Sequence, residues 1–483
     1  MKVSVKKIIP YIILTIVFLL IYNYIFDKKL NLGGDNFDYI NLAQSIKDGH
    51  GYSYPYYPDH QPANWFPPGY SYLLAGVMFI NNDVIAFKIL NGLLFLFLVL
   101  LFFYTFRELT GSDLLTLFIS IFILFNVGLL GLSTIIMSEI PYMFFCMLVI
   151  YFLIKKKSLW GIIIFSAAVL YLRSTGIALI GAIVLYLVSQ KRFKDSLIYT
   201  FGTFILYVPY IIRNKILDLK GRYLETVMSV NPWKPETGNI NTIGEFLDKV
   251  KINFIDTVLN GFPDVMLPFN SEHSIVLGLF FLIIIGFGLW KLKNYRWFFV
   301  AYLVLNIGVL LIWHPGNGVR YVWPLVPVLY FIFFYAIYVV INMIIKNSKV
   351  VYLFYVLILF SFSGLENLHT LAKQDYNLAY KNYFQIAKEV KKLNKKDLMV
   401  ICRKPGMFHY YSGTYVDNYL FSTDPKEVID DLTYKNADFV VLEHLGYGST
   451  GRYLFPAINT YQQKFNIVLH LKNPDTYLLK YNN

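Results

Sequence analysis

A train of apolar runs constrains this chain more than any other feature, because short loops rich in Lys and Arg separate them. Most runs are about 17–25 residues long, the length that spans the hydrocarbon core of a bilayer. Candidate spans lie at 8–26, 84–106, 114–134, 138–154, 159–172, 174–190, 195–212, 274–290, 297–313, 321–345 and 350–366. With the N-terminus in the cytoplasm, Lys2, Lys6 and Lys7 lie inside. The same parity puts Arg107, Lys155 to Lys157, Lys191, Arg192, Lys194, Lys291, Lys293, Arg296, Lys346 and Lys349 inside. Every basic cluster of the short loops then falls on one face, the bias that sets orientation in membrane proteins. Only 15% of residues are charged and 57% are hydrophobic, whereas soluble domains carry about 25% charge. The expected fold class is an α-helical polytopic membrane protein with eleven transmembrane helices in the plasma (inner) membrane.

The net charge of +13 belongs to this topology, so no nucleic-acid partner is expected. Cys146 sits inside an apolar run and Cys402 in a distant polar region, with no spacing for a disulfide framework or a zinc site. The basic N-terminus resembles a secretory signal. Its apolar part is too long, however, and no small-residue cleavage site follows, so it reads as an uncleaved span.

The stretch 159–190 is read as two short arms turning at "RSTG", Arg173 to Gly176, because a single span would put "KKK" and "KRFK" on opposite faces. Arms this short imply a turn below the membrane surface, tolerated only against protein or a wet cavity.

Three long segments remain outside: 27–83, 213–273 and 367–483. The first is rich in Tyr, Pro and Gly, and its "FPPGY" reads as a turn into an apolar stretch. The second carries "IGEFLDKVKINFIDTVL", which suits an amphipathic interfacial helix. In the third, "NYFQIAKEVKKLNK" has helical periodicity, and "DLMVIC" and "ADFVVLEHL" read as buried strands. Asp424, Pro425 and Glu427 form a helix start with N-cap, first-turn proline and capping acid. Alternating elements predict a small extracytoplasmic α/β domain at 367–483, after a membrane unit at 1–366.

The middles of most runs are free of charge, unlike transporters, which gather ionisable groups near the midplane. Here the unusual groups lie at the outer ends of the runs: Asp35, Asp38, Glu139, Arg173, His314 and Arg320. Each has a structural alternative. Asp35 and Asp38 can cap a helix, and Glu139 can be a first-turn acid favoured by the helix dipole. Arg173 and Arg320 can reach headgroups, and His314 can stabilise a Pro/Gly turn. Their shared level is what favours a site. A carboxylate there can take a proton from an acceptor hydroxyl, and arginines can hold a lipid phosphate as leaving group.

These residues resemble the GT-C membrane glycosyltransferases, in the branch of the protein O-mannosyltransferases and aminoarabinose transferases. The resemblance rests on Asp35, Tyr39, Ala43, Gly49, Tyr52 and "FPPGY" (Phe66 to Tyr70), then on Glu139, the "RSTG" arginine and "RYVWPLVPVLY" from Arg320 to Tyr330. It implies a GT-C-like membrane domain, a polyprenyl-phosphate sugar donor and inverting transfer to a glycan, lipid or protein acceptor outside. It further implies Asp35 as general base, with Asp38 and Glu139 positioning the acceptor. Arg173, Arg320 and His314 would bind the donor phosphate, and Tyr39, Pro67, Pro68, Tyr70 and Tyr321 would form the substrate loop. A divalent metal on Asp35 and Glu139 stays open; no other cofactor is implied. The chain departs from the mannosyltransferase pattern at Asn36, where an acid usually follows the first Asp. Its C-terminal segment also does not match their β-rich outer domain. Other readings of the same outer site are a lipid or glycan transporter and a diphosphate-carrier polymerase or ligase.

Overall fold

The first apolar run forms the helix Val5–Ile25. In this computed structural model, the described residues are 5–219, 221, 223–268, 274–313, 318–345, 349, 351–395 and 397–482. His314 lies outside them. Among the described residues six helices are long and apolar enough to cross a membrane: Lys7–Ile25, Val84–Thr110, Phe193–Ile216, Lys293–Ile312, Val319–Ile345 and Val351–Lys392. The run at 114–134 is instead two helices, Asp113–Leu124 and Val127–Ser133, bent by 61°. Asn126 makes that break. Its side chain caps the second helix at Leu129 N and donates to Val265 O at 2.8 Å and Tyr330 Oη at 2.7 Å. Free backbone groups deep in the protein need such partners.

Four further apolar helices are shorter: Glu139–Ile154, Leu159–Leu172, Ser174–Ser189 and Ile275–Lys291. The chain does break at "RSTG", since Arg173 is extended at φ −152° and ψ 136° and a single 3-10 turn follows. Helices thus stand at each of the expected runs, but length and composition alone qualify six as spans, or seven with the bent pair. The last of them also outruns its expected end. The helix Phe362–Lys373 packs on the first span, with Tyr24 donating to Glu366 at 2.6 Å and stacking on His369 at 3.8 Å.

The long segments between the apolar runs fold largely as their sequence suggests. "FPPGY" leads into the helix Gly69–Met78, and Thr242 caps the amphipathic helix Ile243–Phe254. At the C-terminal end a five-stranded sheet has strands β1 (Met399–Ile401), β2 (Tyr415–Asp417), β3 (Phe439–Leu442), β4 (Phe465–Leu471) and β5 (Thr476–Tyr481). Their spatial order is β2-β1-β3-β5-β4. The first three are parallel and connected through the helices Pro405–Ser412 and Pro425–Tyr434, whereas β5 and β4 add antiparallel. Asp424 caps the latter helix as expected, accepting from Lys426 N at 2.8 Å. Alternation assigns the two faces. Val400, Val441 and Leu478 join the core that continues into the membrane helices, while Ile401, Val440 and Leu479 join a second core beneath the outer helices.

The sheet edge is completed by the segment 27–83 that follows the first span. Val416 N donates to Tyr56 O at 2.9 Å, Tyr57 Oη donates to Asp417 at 3.1 Å, and Asn41 Nδ2 donates to Gly406 O at 2.8 Å. These contacts hold the C-terminal sheet over the acidic stretch after the first span.

Candidate active site

Asp35 occupies the N-cap position of the helix Asn36–Lys47, yet its side chain makes no capping hydrogen bond. The backbone before it explains where it points. Gly34 has φ +65°, and a Cβ there would come within 3.0 Å of Met137 Cε, so this turn requires glycine. Asn36 is buried; it accepts from Ile136 N at 2.8 Å and donates to Gly33 O at 2.6 Å. That pair of bonds ties the loop to the residues just ahead of Glu139. Asn36, read from sequence as a departure from an acidic pair, is thus a positioning residue.

Glu139 opens the helix Glu139–Ile154 and is fully buried. Its Oε1 accepts from Arg173 Nη1 at 2.9 Å and from Arg320 Nε at 2.8 Å. Arg320 Nη2 reaches on to Asp35 Oδ2 at 3.0 Å. Two carboxylates and two guanidiniums from four distant stretches therefore form one neutral cluster. Tyr321 offers its ring to both arginines, 5.7 Å from Arg173 and 5.8 Å from Arg320. Ser138 Oγ accepts from Arg173 at 3.1 Å and from Tyr39 at 3.0 Å. Glu139 Oε2 is buried with no hydrogen-bond partner among the described residues, so one carboxylate oxygen keeps a free acceptor site beside the arginines.

Next to this cluster lies a cavity of about 630 Å³, lined by Asp35, Asp38, Trp65 and Phe66 of the segment 27–83, Trp233 of the segment 213–273, and Arg403 to Met407 of the C-terminal segment. Asp38 accepts from Tyr56 Oη at 3.4 Å, and a Cβ on Gly406 would collide with its Oδ1. Burial, then the nearby charge of Asp35, pushes the Asp38 carboxyl up to about 7, against the opposing charge of Lys404. Burial and the adjacent Arg403 charge lower Lys404.

The geometry sorts the expected residues. Asp35, Glu139, Arg173, Arg320 and Tyr321 come together, and Asp38 joins Asp35 on the cavity wall. Tyr39 and Tyr70 are buried supports: their rings meet edge-on at 4.9 Å, and Tyr70 bonds Asn91 at 3.2 Å. Pro67 and Pro68 are buried and bring Gly69 against Tyr171 O, where no Cβ would fit. Of "FPPGY", Phe66 is the residue that lines the cavity. Sequence reasoning missed Arg403, Lys404, Gly406 and Trp233; the basic pair before Pro-Gly in "RKPG" was the available signal. A metal on Asp35 and Glu139 would have to displace the Arg320 guanidinium that bridges them. Among the described residues no group of three or more His, Cys, Asp or Glu could hold a metal ion.

The Dolichyl-phosphate-mannose-protein mannosyltransferase family model matches residues 65–231. That segment holds Glu139 and Arg173; Asp35 and Asp38 precede it and Arg320 follows it. No curated protein matches the sequence. Among solved structures, the fold is similar to ArnT from Cupriavidus metallidurans bound to undecaprenyl phosphate, at 11% identity over 98% of each chain with a TM-score of 0.63. It is also similar to the apo state of that protein, at 10% identity over 97% of each chain with a TM-score of 0.61.

Proposed function

We propose, from the premise that this chain is a multi-pass membrane glycosyltransferase similar to the protein O-mannosyltransferase and aminoarabinose transferase branch of the GT-C type, that it moves a sugar from a polyprenyl-phosphate donor to an acceptor hydroxyl at the outer face of the plasma (inner) membrane. One observation carries the reading: Asp35 lines the cavity and also bonds Arg320, so one carboxylate adjoins both the acceptor space and a cation suited to the leaving phosphate. Asp35 takes the acceptor proton as the hydroxyl oxygen attacks the anomeric carbon. The bond from that carbon to the phosphate oxygen breaks, and polyprenyl phosphate leaves with the electron pair. Attack opposite the leaving group inverts the anomeric centre. Arg320, about one-third exposed, meets the phosphate, while Glu139 and Arg173 hold it in place. The acceptor is a glycan, lipid or protein hydroxyl.

In this reading residues 1–366 form the membrane unit, with outer segments 27–83 and 213–273 around the site, and 367–483 the extracytoplasmic domain that roofs it. The N-terminus is cytoplasmic, as the one-sided basic clusters support. No metal enters the mechanism. The undecaprenyl phosphate named for the ArnT structure supports the donor class. Transfer assayed in membranes supplied with polyprenyl-phosphate sugar should fall by about 10²–10⁴ in Asp35→Asn, the usual worth of a positioned general base. Full activity in that variant removes Asp35 from the mechanism. Movement of lipid across vesicles without a new glycosidic bond would favour the transporter, and release of lipid diphosphate the polymerase or ligase.

A second reading has its own observation. A carboxyl at about 7 suits a general base working near neutral pH, so Asp38 could take the proton while Asp35 holds Arg320. The two separate by pH profile: if Asp38 is the base, Asp38→Asn abolishes transfer, whereas Asp35→Asn keeps transfer dependent on an ionisation, moved below that of the wild type by loss of the Asp35 charge.

A further inference from the structure

We infer that Arg403 and Lys404, in the loop after β1, form a phosphate-binding site in the wall of the cavity that holds Asp35 and Asp38. The inference rests on the transfer reading for the identity of the phosphate, not for the existence of the site.

Around the cavity, Arg173 and Arg320 are already paired with Glu139 and Asp35. Arg213 donates to the carbonyls of Ala63 and Tyr52, and Lys435 pairs with Asp417 and Asp431. Arg403 and Lys404 both line the cavity, and among the described residues neither has a carboxylate within ion-pair distance. Asp218, a further acid on the lining, pairs with neither. Lys404 feels the charges of Asp38 and Asp35 only at longer range, so two adjacent cations stand in the cleft with no carboxylate in contact among the described residues.

The guanidinium is also held in a set pose. Arg403 Nε donates to Ser449 Oγ at 2.8 Å, and Tyr419 Oη donates to the same oxygen at 3.1 Å. Its plane is flanked by Tyr447 at 4.7 Å, Phe421 at 5.2 Å and Trp233 at 6.0 Å. The two terminal nitrogens donate to no described residue. A guanidinium fixed through Nε and ring contacts, with its fork unpaired, is preorganised for two-point recognition of a phosphate. Lys404 adds a point charge, its Nζ 5.1 Å from the same Tyr447 ring. Docking of Gly406 on Asp38 keeps the pair over the acids rather than out in solvent. Two sources share this chemistry: the phosphate of the lipid donor, and a phosphate group borne by the acceptor.

The test uses the full chain in detergent, with undecaprenyl phosphate and undecaprenol as paired probes. Arg403→Gln and Lys404→Gln should each weaken undecaprenyl phosphate by about tenfold, in line with one charge-assisted hydrogen bond, and leave undecaprenol binding unchanged. Arg403→Lys, which keeps the charge and loses the fork, should fall between. If lipid phosphate binding is unchanged but transfer to an envelope glycan loses its preference over the same glycan treated with phosphatase, the acceptor is the source. Unchanged behaviour in both arms overturns the site, even where the wild type binds lipid phosphate and transfers normally. Phosphate binding that depends on Arg403 and Lys404, with no glycosidic bond formed, overturns the transfer reading and leaves the site standing.

Discussion

The inner cluster of Asp35, Glu139, Arg173 and Arg320 and the outer wall of Asp38, Arg403 and Lys404 solve opposite electrostatic problems a few residues apart. The inner cluster is closed: each guanidinium has a carboxylate, and Glu139 is fully buried between two of them. The outer wall is left open, with one carboxyl displaced in pKa and two cations that have no carboxylate within ion-pair distance among the described residues. A neutral cluster at the membrane end can be desolvated and rigid. An unbalanced wall over the cavity leaves charge for a ligand to complete.

Removing one member of the closed cluster should have the largest effect. Glu139→Ala leaves the nearly buried Arg173 without a carboxylate and Arg320 with Asp35 alone, and should destabilise the protein by about 3–5 kcal/mol, the scale for breaking a buried pair. The loss should appear as a large fall in detergent melting temperature. Stability equal to wild type would show that the cluster is not closed in the membrane. Arg320→Lys keeps a charge but cannot bridge Asp35 and Glu139 together. Transfer should drop by about tenfold to a hundredfold, with a smaller change in melting temperature, since the lost hydrogen bonds to charged groups are worth about 1.5–3 kcal/mol.

The open wall should respond to pH instead. The Asp38 carboxyl sits at about 7 in the fold against an ordinary 3.8, so between those values the folded chain holds a proton that the unfolded chain releases. This group therefore makes stability fall as pH rises through that window. Asp38→Asn removes the fall, so its melting temperature should gain on the wild type from about pH 4 to pH 7. Parallel profiles would mean that Asp38 titrates as an ordinary carboxyl. Smallest is Gly406→Ala, whose Cβ meets Asp38 Oδ1. Displacing the "RKPG" loop should cost about 1–3 kcal/mol, as overpacking does, and weaken transfer more than it weakens the fold.

Sequence patterning carried the membrane architecture a long way. Run lengths and basic loops placed helices where helices are found, and "RSTG" was legible as a break because a continuous span contradicted the sidedness of "KKK" and "KRFK". Strands β1 and β3 were legible as short apolar runs. The hairpin of β4 and β5 was not, because an edge strand with Ile467 and Val468 largely exposed lacks a clean alternation. The bend at Asn126 and the short helices kept the span count from following run count alone, since a polar side chain inside the protein can satisfy a broken backbone.

By itself, the sequence determined that this chain lives in a bilayer and which polar residues stand at the ends of its apolar runs. Hydrophobic length and charge sidedness are local properties that need no partner to be read. Only the tertiary structure decided which polar residues meet. Asp35 and Arg320 are 285 positions apart and lie 3.0 Å from one another, and Asp38 lies beneath Gly406 of another segment altogether. Pairing depends on distance in space, and that is what separates Arg173 and Arg320, which meet carboxylates, from Arg403 and Lys404, which among the described residues meet none.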